Sequence, residues 1–61
     1  MQKKELFFKL EKPARKSGGD RYEHGEKDDK DFITLYLPQS ISREDGEPTK
    51  KLKVTIEEVK E

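Results

Sequence analysis

The stretch DFITLYLPQS, residues 31–40, decides how this chain folds. Its alternation is strict, and both sides of it are apolar. Ile33, Leu35 and Leu37 point one way; Phe32, Thr34 and Tyr36 point the other. Period two with β-branched and aromatic residues reads as a strand, and Pro38 closes it. A half-buried strand needs one apolar face, so the second face asks for an occupant.

The same alternation recurs on either side. In ELFFKLEK (5–12), Leu6, Phe8 and Leu10 share a face, with Glu5, Phe7, Lys9 and Glu11 opposite. Pro13 ends that run, because proline cannot donate to a ladder. In KKLKVTIEEV (50–59), Leu52, Val54 and Ile56 share a face, with Lys51, Lys53, Thr55, Glu57 and Val59 opposite. RYEH (21–24) is a shorter strand. Gly18-Gly19 and Asp45-Gly46 are turn signals, and GEKDDKD (25–31) is a charged, solvated turn.

The expected fold is therefore all-β. Four antiparallel strands lie near 4–12, 20–25, 31–37 and 50–59, in a small sheet or half-open barrel, with one short helical turn near 38–44. The three aliphatic triplets gather on one face as the core. Leu35 and Val54 sit at its centre, Tyr22 is a further candidate, and Ile41 is tucked beneath the sheet. No predicted helix is long enough to cover a sheet face, so the sheet curls on itself or packs against a second copy.

Composition sets the scale. At 61 residues the chain is one small domain spanning 1–61, and a chain of this size buries only about 60% of its unfolded surface. Hydrophobic residues make up 28% and charged residues 46%. That balance leans toward disorder, but the apolar residues cluster at 6–10, 32–37 and 52–59. There is no cysteine, hence no disulfide framework and no thiolate zinc site. Oligomerisation is then the usual remaining support for a small core. No apolar run approaches the roughly 20 residues of a membrane span, and the start lacks a signal-peptide pattern. A soluble cytoplasmic protein is expected. The net charge is zero but uneven: residues 1–17 sum to +4 and residues 18–31 to −3. A neutral chain lacks the broad field of a dedicated duplex-DNA binder.

Catalytic and metal patterns are weak. His24 stands near Asp20, Glu23 and Glu26 with no second His or any Cys, which reads as an exposed bystander rather than a metal ligand. DDKD (28–31) lacks the spacing of a calcium loop. SGGDR has neither the lysine nor the helix of a phosphate loop. Ser17, Ser40 and Ser42 have no nucleophile context. No enzyme, cofactor or metal is expected, and a domain this small has no room for a ligand cleft of about 300 Å3 or more.

The second sheet face carries the functional expectation. Phe7, Lys9, Phe32, Thr34, Tyr36 and Lys53 fall on it. Aromatics are enriched at subunit interfaces, and the leading expectation is a non-enzymatic binding or assembly module, a homodimer joined through this face. The alternative is a single-stranded nucleic-acid platform on which bases stack and lysines track phosphates. Cover by the long loops is the third option.

Leu10-Glu11-Lys12 with Arg15-Lys16, Arg21-Tyr22-Glu23, Thr34-Leu35-Tyr36-Leu37, Pro48 and Val54-Thr55-Ile56-Glu57 together form a layout. It resembles a family of short uncharacterised prokaryotic proteins. The KSGGD insert and the HGEKDDKD loop depart from that pattern. The resemblance implies a common arrangement of strands, including the one at 21–24, and implies no activity.

Overall fold

A computed structural model describes residues 2–60. The chain order is β1 (Lys4–Lys12), β2 (Gly19–His24), β3 (Ile33–Pro38), α1 (Gln39–Ser42), β4 (Arg43–Glu44), β5 (Glu47–Pro48) and β6 (Lys51–Ile56). Four strands form one antiparallel half-barrel sheet in the order β3-β2-β1-β6. The two-residue strands β4 and β5 form a separate hairpin.

The all-β expectation holds, and the register shows why. Leu6 faces Val54 and Phe8 faces Leu52 across β1 and β6. Leu10 faces Tyr22, and Tyr22 faces Leu35, across the other two pairs. Opposed residues share a side of a sheet, so all three triplets fall on one face. We call it the inner face. Asp20 and His24 share it through the parity of β2. Phe7, Lys9, Arg21, Thr34, Tyr36, Lys51 and Lys53 fall on the outer face. A bulge between Leu10 and Lys12 turns β1 into the loop at 13–18, as such insertions do.

Among the described residues Phe8 and Tyr22 are the buried hydrophobic residues; Asp20 and Ser42 are buried at the Tyr22 end, and Phe8 lies against His24 and Leu52. The segment from α1 to β5 lies over the Asp20 end and supplies a second layer there. Leu35 and Val54, expected at the centre of the core, are half-buried; Val54 and Leu52 line an open recess with Ile41 and Thr49.

Two further expectations are corrected. Ile41 is 68% exposed, not tucked under the sheet. Neighbouring positions in a helical turn differ by about 100°, so one of Ile41 and Ser42 faces inward, and the hydrogen bond from Ser42 to Asp20 selects Ser42. The last strand stops at Ile56 rather than reaching Val59, which is 82% exposed. Ile56 pairs with Lys4, the first residue of β1, and the ladder among the described residues ends there.

The shape is open. The molecule measures 37 × 33 × 16 Å and its radius of gyration is 12.9 Å. A compact chain of this length has a radius near about 10.5 Å. Its surface is 5479 Å2, against about 4,100 Å2 for a compact monomer of this mass. The sheet thus displays far more surface than a self-contained core would leave.

Candidate functional site

The buried end of the inner face is built around Asp20, which is fully buried. Arg43 grips it with two prongs, Nε to Oδ2 at 3.0 Å and Nη2 to Oδ1 at 2.8 Å. Ser42 donates its hydroxyl to Oδ2 at 2.5 Å, and the Ala14 amide donates to Oδ1 at 2.8 Å. Arg43 Nη2 also donates to the Ala14 carbonyl at 2.9 Å. Tyr22 donates its phenol to the Thr49 carbonyl at 2.5 Å. Every acceptor of the carboxylate faces a donor, which is what a buried charge requires.

These contacts set the proton affinities. The Arg43 hydrogen bonds, then the Ser42 hydroxyl, hold the Asp20 carboxyl well below the usual carboxylate range, against the opposing effect of burial. Burial first, then the charge of Asp20, pushes the Tyr22 phenol above its ordinary value. An ionised carboxylate saturated by donors is a poor base and a poor nucleophile. Chemically this group is a clasp. It ties the 13–18 loop, β2, α1 and β4 to one point.

Sequence reading missed Asp20 as a buried group, and Ser42 and Arg43 as its partners. One signal was available: Asp20 shares strand parity with Tyr22, and a carboxylate on the inner side of a strand demands a cation.

The six residues expected on one aromatic face divide into groups. Phe7 and Tyr36 are 69% and 62% exposed on the outer face, with Lys9, Thr34 and Lys53 on the same side. From the register, Phe7 lies level with Gly25 and Tyr36 level with Arg21. Four residues along and two strands across put them about 16 Å apart at ordinary sheet spacings. The row Thr34, Glu23, Lys9, Lys51 crosses the sheet between them. Lys53 is ion-paired with Glu5 at 3.0 Å. Phe32 precedes β3 and is half-buried, lining a recess with Lys4, Leu6, His24 and Ile33, residues of the inner side. The outer face therefore holds two separate aromatic points.

His24 is half-buried at the end of β2. Its Nδ1 donates to the Phe7 carbonyl at 2.8 Å and its ring lies 5.5 Å from that of Phe8. Among the described residues no group of three or more His, Cys, Asp or Glu is placed to hold a metal ion, and no helix is long and apolar enough to cross a membrane.

Two features remain as candidate sites. The first is the open part of the inner face, where Leu6, Leu35, Leu52 and Val54 are half-buried and Ile33 and Ile56 are 39% and 40% exposed. The second is a recess of about 580 Å3 on the outer side, at the corner between β1 and β2, lined among others by Lys12, Arg15, Ser17, Arg21 and Tyr36. Its volume exceeds what so short a chain was expected to offer, because it is an open trough along the loop rather than a cavity inside a core. In comparisons with known proteins, no family model, no curated protein and no solved structure matches the chain.

Proposed function

We propose that this protein is a non-enzymatic assembly module whose half-barrel is completed by a second copy of the same chain. The open inner face carries this reading. Three strands present an apolar triplet there, and among the described residues Leu6, Leu35, Leu52 and Val54 stay half-buried while Ile33 and Ile56 are exposed. The surface exceeds that of a compact monomer of this mass by about 1,400 Å2, a value that includes the loops and the 57–60 tail. A stable interface needs about 800 Å2 from each partner, so the excess suffices. Two sheets packed at about 10 Å bury exactly such faces against each other, and a two-fold axis pairs a face with itself.

The sequence pattern had placed the partner on the Phe7 and Tyr36 side. The separation of those two rings supports moving the interface to the inner side, where β3, β1 and β6 each present an apolar triplet.

Light scattering over a dilution series tests the proposal. The parent is expected at twice the chain mass and dissociates on dilution. The Ile33→Ser, Ile56→Ser double variant changes two residues already about 40% exposed; it is expected to stay folded and run as a monomer. The Phe7→Ser, Tyr36→Ser variant is expected to keep the dimer mass. A parent monomeric at every concentration refutes the proposal, and loss of the dimer in the second variant alone returns the interface to the outer face.

A further inference from the structure

We propose that the recess beside Tyr36 binds a nucleotide unit of single-stranded nucleic acid, with the phosphate on Lys12 and Arg15 and the base on the Tyr36 ring. The lining contains three cations and no carboxylate. Among the described residues neither Lys12 nor Arg15 takes part in an ion pair, whereas Arg21 is joined to Glu23 at 2.9 Å. Two unpaired cations lining one trough favour an anion with several acceptor oxygens, and a phosphate supplies them.

The loop that carries these cations is held in place. Arg43 takes the Ala14 carbonyl, and Gln39 Nε2 takes the carbonyls of Lys16 and Gly18 at 3.3 and 3.1 Å. The Ala14 amide is fixed to Asp20. The backbone at 14, 16 and 18 is thereby tied to the clasp, and Arg15 and Ser17, between the tied positions, line the recess. Holding the cations before the ligand arrives reduces the ordering cost of binding.

Tyr36 supplies the second half of the site. It stands opposite Arg21 in the β2–β3 register and is 62% exposed. Gly19 also lines the recess, and a Cβ there would come within 3.3 Å of the Tyr36 Cβ. The missing side chain leaves the flank of the tyrosine clear. A bare ring next to cations is the arrangement on which an unpaired base stacks while its phosphate is held. A duplex keeps its bases inside the stack and cannot use the ring. The site lies on the face opposite the proposed dimer interface, so either proposal can fail without the other.

Fluorescence anisotropy of a labelled oligo-dT with the full chain, together with intrinsic tyrosine emission, tests this. Tryptophan is absent and the other tyrosine, Tyr22, is buried, so quenching by a stacked base reports on Tyr36. The parent is expected to bind the single strand with quenching. Tyr36→Ser is expected to weaken binding about ten-fold, while Tyr36→Phe keeps the affinity and loses the quenching. The Lys12→Gln, Arg15→Gln double variant is expected to lessen the slope of log affinity against log salt by about 0.7, the value for one phosphate of a single strand. Free dTMP is expected to compete better than inorganic phosphate. No binding by the parent overturns the proposal. So does equal affinity for a duplex of the same length, unchanged binding by Tyr36→Ser, an unchanged salt slope in the double variant, or equal competition by phosphate.

Discussion

At the scale of single residues, Asp20 does the most to define this domain. It is a charge with no exposure in a chain that has little core to spare, and its four donors come from two separate segments, Ala14 in the 13–18 loop and the Ser42-Arg43 pair. Its linkage to pH follows. In the unfolded chain an aspartate takes a proton near about pH 3.9. In the folded chain the Arg43 and Ser42 hydrogen bonds hold Asp20 well below that. The unfolded state therefore binds the proton first, and stability falls as the pH drops below about 4, down to the folded value. Urea midpoints taken from neutral pH into that range should decline. Asp20→Asn should remove this part of the decline while lowering the midpoint at neutral pH, because Arg43 then lacks its counter-charge. A parent midpoint that stays level through the acid range contradicts the clasp. Tyr22 works in the opposite direction. Its phenol is raised, so its contribution is present below about pH 10 and is lost as the pH rises through the folded value. Tyr22→Phe removes the bond to Thr49, should cost about 1 kcal/mol at neutral pH, and should lessen the alkaline decline measured by thermal melts.

At the scale of elements, the hairpin β4–β5 shows what sequence reading reaches. Asp45 and Gly46 both have positive φ, 58° and 87°, between strands whose partners are Glu44 and Glu47. Two left-handed residues in a two-residue loop match the twist of a hairpin, and Asp-Gly announces this locally. The hairpin's first strand carries Arg43, so the turn positions the cation of the clasp. Gly46→Ala forces a side chain into the left-handed region and should cost about 1–2 kcal/mol. Chemical denaturation checks it; no change would mean that the turn does not position Arg43. The strands were legible for a similar local reason, since burial on one face stamps period two on the sequence. The aliphatic triplets followed from that period. The clasp was not legible in the same way. Asp20 and Arg43 are 23 positions apart, and a single ion pair across the chain leaves no periodic trace. The separation of Phe7 from Tyr36 was hidden too, because parity assigns a residue to a face but says nothing of its height along the strand. That height depends on strand order and register, and the placement of β6 beside β1 comes from neither composition nor alternation.

At the scale of the whole molecule, the half-buried state of Leu35 and Val54 turns a stability question into an assembly question. In a closed core, truncating either to alanine costs about 2–4 kcal/mol at any protein concentration. Here each side chain keeps part of its surface in water, so in the isolated chain the loss is a fraction of that, since the stabilisation follows the apolar area removed from solvent. A second copy seated on the inner face removes the remainder. Whatever binds the folded state alone raises its apparent stability by mass action. The melting temperature of the parent should therefore climb with concentration. The penalty for Leu35→Ala should climb with it, from a small value in dilute solution to the full core value once the dimer is populated. A surface change outside the interface, such as Lys27→Gln in the 25–31 loop, should show no such dependence. Differential scanning calorimetry of parent and variant across a concentration series separates the cases. Parallel curves for the parent and Leu35→Ala would mean that the leucine meets the same surroundings in both states, and the inner face would then not be the surface that a second copy covers.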